Sequence, residues 1–258
     1  MNYYLILPVG ALAYFILILL MLELGRRIGT RQLREDPAGA RTGVGAFEGA
    51  VFGLLGLLIA FTFSGAAERF GVRRELLVQE VNAIGTAWLR LDLVPAQRQP
   101  ALRQLFRNYV DQRNAYYQAL LNDDERQDAE RRATALQNEL WSQSAAAVSS
   151  MAQQDAGALL LKALNDVIDI TTTRAVALRT HPPTVIYLML GMLSIISAIL
   201  IGHGTAGSAH RIWLHSIGYA LVMTVSLYII VDFEFPRVGL IRIDQLDQLL
   251  VEARKAMD

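Results

Sequence analysis

Four stretches of the chain lack any charged residue, and each is long enough to cross a lipid bilayer as a helix. They cover residues 1–22, 49–67, 182–202 and 212–231. A helix rises about 1.5 Å per residue, so roughly 20 apolar residues span the hydrocarbon core of about 30 Å. The pattern predicts four transmembrane helices in two pairs, the first beginning at about Tyr3. Because this first segment lacks a basic n-region and a small-residue cleavage site, it is predicted to be a retained helix rather than a signal peptide.

The block between the two pairs has apolar residues at helical spacing. One run places five of them on a single helix face: Leu102, Leu105, Phe106, Tyr109 and Val110. No segment shows strand alternation, and residues that favour helices dominate. The predicted fold class is therefore all-α, an integral membrane protein with four transmembrane helices and a helical extramembrane bundle between the second and third. The predicted domains are a first membrane pair at 1–67, a helical extramembrane domain at 68–181, a second membrane pair at 182–231 and a C-terminal extramembrane segment at 232–258.

The second membrane helix continues past its apolar part without a break. The stretch AFTFSGAAERFGVRRE, residues 60–75, passes from apolar to charged composition with no proline and no turn cluster. The helical pattern extends from about Ala46 to Leu91, a length of about 70 Å. We interpret this segment as one rod that couples the membrane region to the extramembrane bundle.

Small residues recur every three or four positions along the apolar part of this rod, on one helix face: Gly45, Gly49, Gly53, Gly56, Ala60, Ser64 and Ala67. Two interpretations are open: close packing against a neighbouring helix, or the lining of a narrow axial pore in an oligomer, with Phe61 or Phe63 as a hydrophobic constriction. Successive helix residues differ by about 100°, so Phe61 and Phe63 cannot both face one axis. Phe61 is the better constriction because it lies three residues before Ser64 on the small-residue face.

Polar residues interrupt the apolar pattern at two further places in the rod. In QEVNAIGTAWLRLD, residues 79–92, they form either an ion vestibule or an interhelical polar cluster: Glu80, Asn82, Thr86 and Arg90. Trp88 in the same stretch is predicted to be buried between helices outside the bilayer. Glu48, near the start of the second membrane helix, is either a functional carboxylate or an interfacial residue beside Arg41.

Charge and motif content narrow the function. The chain has 24 basic and 24 acidic residues, and residues 68–181 have 14 of each, so there is no basic surface that would bind nucleic acid. We find no nucleophile elbow, phosphate-binding loop or zinc-hydrolase helix, so we predict no enzymatic activity and no cofactor. There is no cysteine. Three histidines surround the third connection without recognisable ligand spacing, so no metal site is predicted: His203, His210 and His215.

Two further stretches are distinctive as motifs. The first is GLLGLLIAFTFSGAAERFGVRRELLVQEVNAIGTAWLRLDLVP, and the second is VDFEFPRVGLIRID, residues 231–244. Both resemble a bacterial membrane family described as bestrophin-like and long of unknown function. Bestrophins are oligomeric, typically pentameric, anion channels. Each subunit has four transmembrane helices, and the second lines the pore with a hydrophobic neck. No acidic run here matches the calcium clasp of animal bestrophins, since Asp232 and Glu234 form only a pair.

The resemblance implies a chloride-conducting homo-oligomer surrounded by lipid in the bacterial inner membrane. Its pore-lining or gating residues are Gly49, Gly53, Gly56, Ala60, Phe61, Ser64 and Ala67. The alternative is a non-conducting membrane scaffold or sensor whose helical domain binds a partner. The two differ in geometry, because the channel requires a ring of subunits with the small-residue face on the axis.

Two arguments from the sequence disagree about the side of the membrane on which the helical domain lies. Five arginines in the first connection place it in the cytoplasm by the positive-inside rule, and the helical domain would then be periplasmic: Arg26, Arg27, Arg31, Arg34 and Arg41. The resemblance to bestrophins implies the reverse orientation. Further arginines near the membrane ends support that reverse orientation: Arg69, Arg73, Arg74, Arg174, Arg179, Arg237 and Arg242. The charge rule is slightly favoured for the first hairpin because the first helix usually dominates.

Overall fold

The computed structural model describes residues 5–35, 44–119, 122–151, 154–207, 213–241 and 244–258, and no strand occurs among them. The α-helices are α1 (Ile6–Glu35), α2 (Val44–Arg90), α3 (Gln99–Gln118), α4 (Asp123–Ser149), α5 (Gln154–Arg179), α6 (Thr184–Gly204), α7 (Trp213–Glu234) and α8 (Asp244–Lys255). A short 3-10 turn, Leu91–Leu93, follows α2. The predicted all-α class is confirmed.

Four helical segments are long and apolar enough to cross a membrane: Ile6–Glu35, Gly45–Leu93, Gln154–Gly204 and Trp213–Glu234. The third comprises α5 and α6, and α6 contains nearly all of its uncharged run. The predicted rod is a single helix of 47 residues, α2, whose ends lie within two residues of the expected positions.

The chain divides into two compact units. The membrane unit comprises residues 1–70 and 181–241, and the second unit, here the helical domain, comprises 71–180 and 242–258. The sequence-based boundaries at 67/68 and 181/182 lie close to this division. The predicted C-terminal segment, however, is shared, because 232–241 belong to the membrane unit.

In the membrane unit, α1 packs most extensively on α6, and the two helices run parallel. Contacts advance together along both helices, from Tyr14 and Ser194, whose hydroxyls share a hydrogen bond, to Gly29 beside His203. Glycines make the close approach possible. A Cβ placed on Gly202 would lie 2.0 Å from the carbonyl oxygen of Leu22. No side chain therefore fits at this crossing.

The first part of α2 packs against α6 and α7 through one apolar cluster. Its buried members are Leu55 of α2, Leu190 of α6 and Met223 of α7. Further along, the rings of Phe63 and Phe233 meet edge to face with centroids 5.7 Å apart. These contacts advance together along both helices, so α2 and α7 also run parallel. Parallel pairs of alternate helices are what four successive membrane crossings require.

The helical domain has its own core, built from the second part of α2 and from α3, α4, α5 and α8. The predicted apolar face of α3 is buried in this core, as expected: Leu102, Leu105, Phe106, Tyr109 and Val110. Leu250 of α8 is also buried there. Asn122 occupies the N-cap position of α4, just before an acidic first turn.

The α1–α6 crossing gives a first prediction. Replacing Gly202 by Ala should destabilise the protein by about 1–3 kcal/mol, because the added methyl group would overlap backbone atoms of α1. The matched control is Gly218→Ala in α7, where a Cβ meets nothing within 4 Å. Thermal unfolding in detergent, followed by circular dichroism, measures both variants. Equal midpoints for the two variants would contradict the crossing described here.

Candidate functional site

The small-residue face of α2 is not covered by the other described residues of the chain. Gly49, Gly53 and Gly56 are exposed, and a Cβ on any of them would meet nothing within 4 Å. Ala60 and Ser64 are also exposed, and Ala67 is half-buried. The opposite face of the helix is packed, with Leu55 and Ala66 buried. The structure therefore brings the predicted pore-lining residues together on one open surface.

The two phenylalanines of α2 differ in their surroundings. Phe61 is 68% exposed and lies beside the small-residue face, whereas Phe63 packs on Phe233 of α7. The sequence had suggested this division from the angle between the two positions. Thr62 lies on the packed side, where its hydroxyl donates to the carbonyl oxygen of Leu58 at 2.7 Å. Ser64 is therefore the hydroxyl on the open face.

The open face persists in the part of α2 that belongs to the helical domain. Gly71 and Gly85 each have open space around the Cβ position. Asn82 and Thr86 are exposed, and Leu89 is 69% exposed. A single exposed leucine is ordinary on a protein surface and does not by itself indicate a partner. Within the described chain, this face of α2 has no such partner.

Glu80 lies on the packed side of α2, at the centre of a buried ionic cluster. Its Oε1 accepts a hydrogen bond from Arg113 Nε at 2.9 Å, and its Oε2 accepts one from the Tyr117 hydroxyl at 2.9 Å. Arg174 of α5 donates to the same carboxylate and lies over the Tyr117 ring, 3.8 Å from its centroid. All four side chains are at most 5% exposed. The cluster joins α2, α3 and α5 around one carboxylate.

Two guanidiniums share this single carboxylate, so the three charged groups together carry a net positive charge. Burial is the largest single influence and would lower the pKa of Arg113, but the Glu80 charge, the neighbouring tyrosines Tyr117 and Tyr109 and the hydrogen bond to Glu80 together raise it. Burial, followed by the Glu80 charge, raises the pKa of Tyr117 well above its usual value. Tyr117 therefore remains a neutral hydrogen-bond donor and Arg113 remains charged at any ordinary pH. This is the behaviour of a structural cluster rather than of a proton-transfer site.

The four polar residues predicted for this part of α2 are not one cluster in the structure. Glu80 belongs to the buried ionic cluster, whereas Asn82 and Thr86 lie on the open face. Arg90 donates to the carbonyl oxygen of Leu159 in α5 at 2.7 Å. The sequence did not reveal the partners of Glu80, because Arg113 and Arg174 are distant from it in the chain. One weak sign was available: neither arginine has an acidic residue four positions away on its own helix.

Trp88 is only half-buried, whereas the sequence predicted that it is buried between helices. Its ring packs against Phe106 with centroids 6.1 Å apart. The Arg103 guanidinium lies 4.4 Å from the ring centroid. One ring face is thus covered by a cation instead of by a helix, which is a favourable cation–π arrangement.

The second motif forms a compact polar junction at the end of α7. Glu234 is 1% exposed and is held by Arg69 at 2.9 Å and by His181 Nδ1 at 2.8 Å. Asp232 is fully buried, and its Oδ2 accepts the backbone amides of Leu240 and Ile241 at 2.9 and 3.0 Å. The motif therefore fastens the segment after α7 back onto the helix end.

The glycine of this motif has a steric reason. A Cβ on Gly239 would lie 2.0 Å from Asp232 Oδ1, so only glycine allows the loop to approach this carboxylate. Among the described residues, no group of three or more His, Asp or Glu side chains is arranged to hold a metal ion.

The remaining polar candidates lie at the opposite end of the membrane unit. Glu48 Oε1 is buried and lies beside Gly204 at the end of α6, and it makes no hydrogen bond to any residue that the structure describes. Arg41, its expected neighbour, is outside the described residues, as is His210. His203 Nε2 is 2.7 Å from Gln32 Oε1. These contacts do not choose between a functional and an interfacial role for Glu48.

The ionic cluster gives a second prediction. Glu80→Gln should lower the free energy of unfolding by about 3–5 kcal/mol, because two buried guanidiniums lose their only carboxylate in the cluster. Glu75→Gln is the control. Glu75 is exposed on the same helix and accepts only from Gln79, so its replacement should change stability by less than about 0.5 kcal/mol. Chemical denaturation in detergent compares the two, and equal stability of both variants would refute the cluster's role.

Comparison with known proteins places this geometry in a family. The sequence matches the family described as Bestrophin-like domain over residues 12–246. No curated protein matches it. Among solved structures, a point mutant of a bacterial bestrophin homologue from Klebsiella pneumoniae has a TM-score of 0.71 at 14% identity, with 94% of this chain and 98% of that chain covered.

A second mutant of the Klebsiella pneumoniae homologue gives the same TM-score and coverage at 15% identity. A further structure, described only as a membrane protein, has a TM-score of 0.74 at 13% identity and covers 96% of this chain and 98% of that one. At such identities the structural matches establish the shared fold. The family match extends over most of the chain and confirms the resemblance seen in the two motifs, so this protein belongs to the Bestrophin-like family.

Proposed function

We propose that this protein is a homo-oligomeric channel for inorganic anions, with α2 of each subunit lining the pore. The observation that supports it most is the open face of α2, where Gly49, Gly53 and Gly56 have unfilled space around them. A helix face of this kind in a membrane needs either a close neighbour or water beside it. Family membership favours water, because bestrophins are anion channels whose second helix lines the pore.

The proposed pore has its narrowest part at Phe61. A ring of Phe61 side chains, one from each subunit, would form an apolar constriction that tends to exclude water. Ser64, one turn further along the same face, offers a hydroxyl to an anion that has lost part of its hydration shell. The exposure of Phe61 in the single chain supports its place at the constriction, since the Phe63 ring already packs against Phe233.

Arginines near the end of the membrane segment contribute less to anion attraction than their number suggests. Arg69 is paired with the buried Glu234. Arg73 is 5% exposed and donates to the carbonyl oxygens of Ala177 and Thr180. In this proposal, selectivity for anions therefore depends mainly on the constriction and on dipoles along α2, rather than on a ring of free guanidiniums.

The proposed constriction gives a third prediction. Phe61→Ala should raise chloride conductance or open probability, because it removes the apolar ring, whereas Phe63→Ala should mainly lower stability by breaking the contact with Phe233. Planar-bilayer recording of the purified, assembled protein under a chloride gradient measures the first effect, and thermal unfolding measures the second. Equal currents from wild type and Phe61→Ala would reject the gate. Absence of current from both proteins would favour the scaffold alternative.

Water access to α2 gives a fourth prediction, and the absence of cysteine makes it direct. A cysteine at Ser64 should react with a membrane-impermeant charged thiosulfonate. Water in the pore admits the reagent and allows the thiol to ionise to the reactive thiolate. The control is a cysteine at Leu12 of α1, which is 60% exposed in the single chain but would face lipid. Labelling in vesicles, read by mass spectrometry, separates the two positions. A Ser64 cysteine as inert as the Leu12 cysteine would argue that another helix covers this face.

A further inference from the structure

A groove of about 390 Å³ lies in the membrane unit, between the first part of α1, the first part of α6 and the last part of α7. Apolar side chains form most of its lining, together with Gly10, Gly191 and four hydroxyl-bearing side chains, those of Tyr14, Tyr187, Thr224 and Tyr228. The Tyr14 hydroxyl is bonded to Ser194, and Tyr187 has an interaction elsewhere. Its volume is in the range of small-ligand sites. The groove is separate from the open face of α2, because no residue of α2 lines it.

Thr224 is the polar feature of this groove that its own helix does not explain. It is 8% exposed, and its hydroxyl has no hydrogen-bond partner among the described residues. Some hydroxyls of the membrane helices bond to their own backbone, for example Thr62 to Leu58 and Ser194 to Gly191, both at 2.7 Å, whereas the buried Ser197 hydroxyl, outside the groove, resembles that of Thr224. A buried hydroxyl without a partner is costly, which indicates that an acceptor from outside the chain completes it.

The Tyr228 hydroxyl, one helical turn nearer the end of α7, lies near the backbone of Leu240 and the Asp232 carboxylate. It makes no hydrogen bond of good geometry within the described part of the chain. Residues four apart share a helix face, so Thr224 and Tyr228 offer two hydroxyls along the same wall. Tyr228 lies three residues before the last uncharged residue, Val231. This is the depth at which tyrosine typically marks the boundary between hydrocarbon and headgroups.

The depth and lining identify the chemistry of the occupant. All three walls are membrane helices, so the groove is bathed by acyl chains. Apolar contact alone gives no preference there, because lipid tails are as apolar as leucine. Selection therefore requires the hydroxyls, which need a carbonyl acceptor near the headgroup boundary. Asp232 follows Tyr228 by one turn and carries a carboxylate close to it, so a neutral acceptor is favoured over an anionic one.

We propose that this groove binds one acyl chain of an ester-linked phospholipid, with the ester carbonyl accepting hydrogen bonds from Thr224 and Tyr228. The acyl chain lies along the apolar walls past Gly10 and Gly191, where the absence of side chains leaves room for it. The site acts independently of conduction, so it holds for a channel and for a scaffold alike.

The test uses the full-length protein in phospholipid vesicles that contain a phosphatidylethanolamine with a diazirine on one acyl chain. After irradiation and digestion, mass spectrometry locates the label. We expect it to concentrate on the peptides of α1, α6 and α7 that line the groove. An ether-linked analogue of the same lipid, which lacks the carbonyl, should label these peptides several-fold less. Thr224→Val should remove the ester preference while keeping the side-chain shape.

Blocking variants provide the second arm. Gly191→Leu should reduce labelling of the groove several-fold, because the new side chain fills open space. Gly218→Leu, also at an open position but outside the groove, is the matched control and should leave labelling unchanged. If Gly191→Leu does not assemble, Gly10→Leu on α1 serves the same purpose.

Two results would overturn the proposal. The first is equal labelling by ester and ether lipids. The second is labelling of the groove peptides that Gly191→Leu and Gly10→Leu leave unchanged. Either result would show that the groove is ordinary lipid-facing surface. A change of oligomeric state in the blocking variants, with no lipid preference in wild type, would instead assign the groove to contact with a second copy of the chain.

Discussion

The constraint on which the structure depends is that backbone amides in hydrocarbon must find partners within the protein. α2 meets it by remaining one helix over 47 residues. Its backbone therefore does not change where its composition turns from apolar to charged, and only the side chains respond. Glu68 and Gly71 are exposed, Arg69 pairs with Glu234, and Arg73 turns to backbone carbonyl oxygens. The charged residues after the apolar part of α2 are accommodated by an ion pair at Arg69, by hydrogen bonds at Arg73 and by exposure at Glu68.

The two faces of α2 have different side chains and different surroundings. Large side chains such as Leu55 and Phe63 pack against α6 and α7, and they hold α2 in the membrane unit. The opposite face consists mainly of glycine, alanine and serine, with the exposed Leu57 and Phe61 at its edge. Where this face has only small side chains, another backbone or a file of water and ions can approach closely. A continuous open face is the feature that the proposed pore requires of each subunit.

Buried carboxylates fix the geometry at two places in the chain. In the helical domain, Glu80 is shared by Arg113 and Arg174, and in the membrane unit Glu234 is shared by Arg69 and His181. Each carboxylate has partners from other helices or connections. The two donors to Glu80 are buried, so losing Glu80 would leave them without this acceptor, whereas the donors to Glu234 are partly exposed. Such clusters add less net stability than an apolar core of equal size, but removing one partner of a buried cluster is strongly destabilising.

Sequence alone determined the membrane spans, the helical class and the small-residue stripe of α2, because length, absence of charge and helical spacing are local properties that a single segment carries. It also separated Phe61 from Phe63, since their angle on one helix is fixed. Only the tertiary structure decided that the other described residues leave this stripe uncovered. It also decided which polar residues meet. Glu80 binds Arg113 and Arg174 and does not cluster with Asn82 and Thr86, and the Arg103 guanidinium covers one face of the Trp88 ring. Such contacts join residues far apart in the chain, so they depend on how α3 and α5 cross α2.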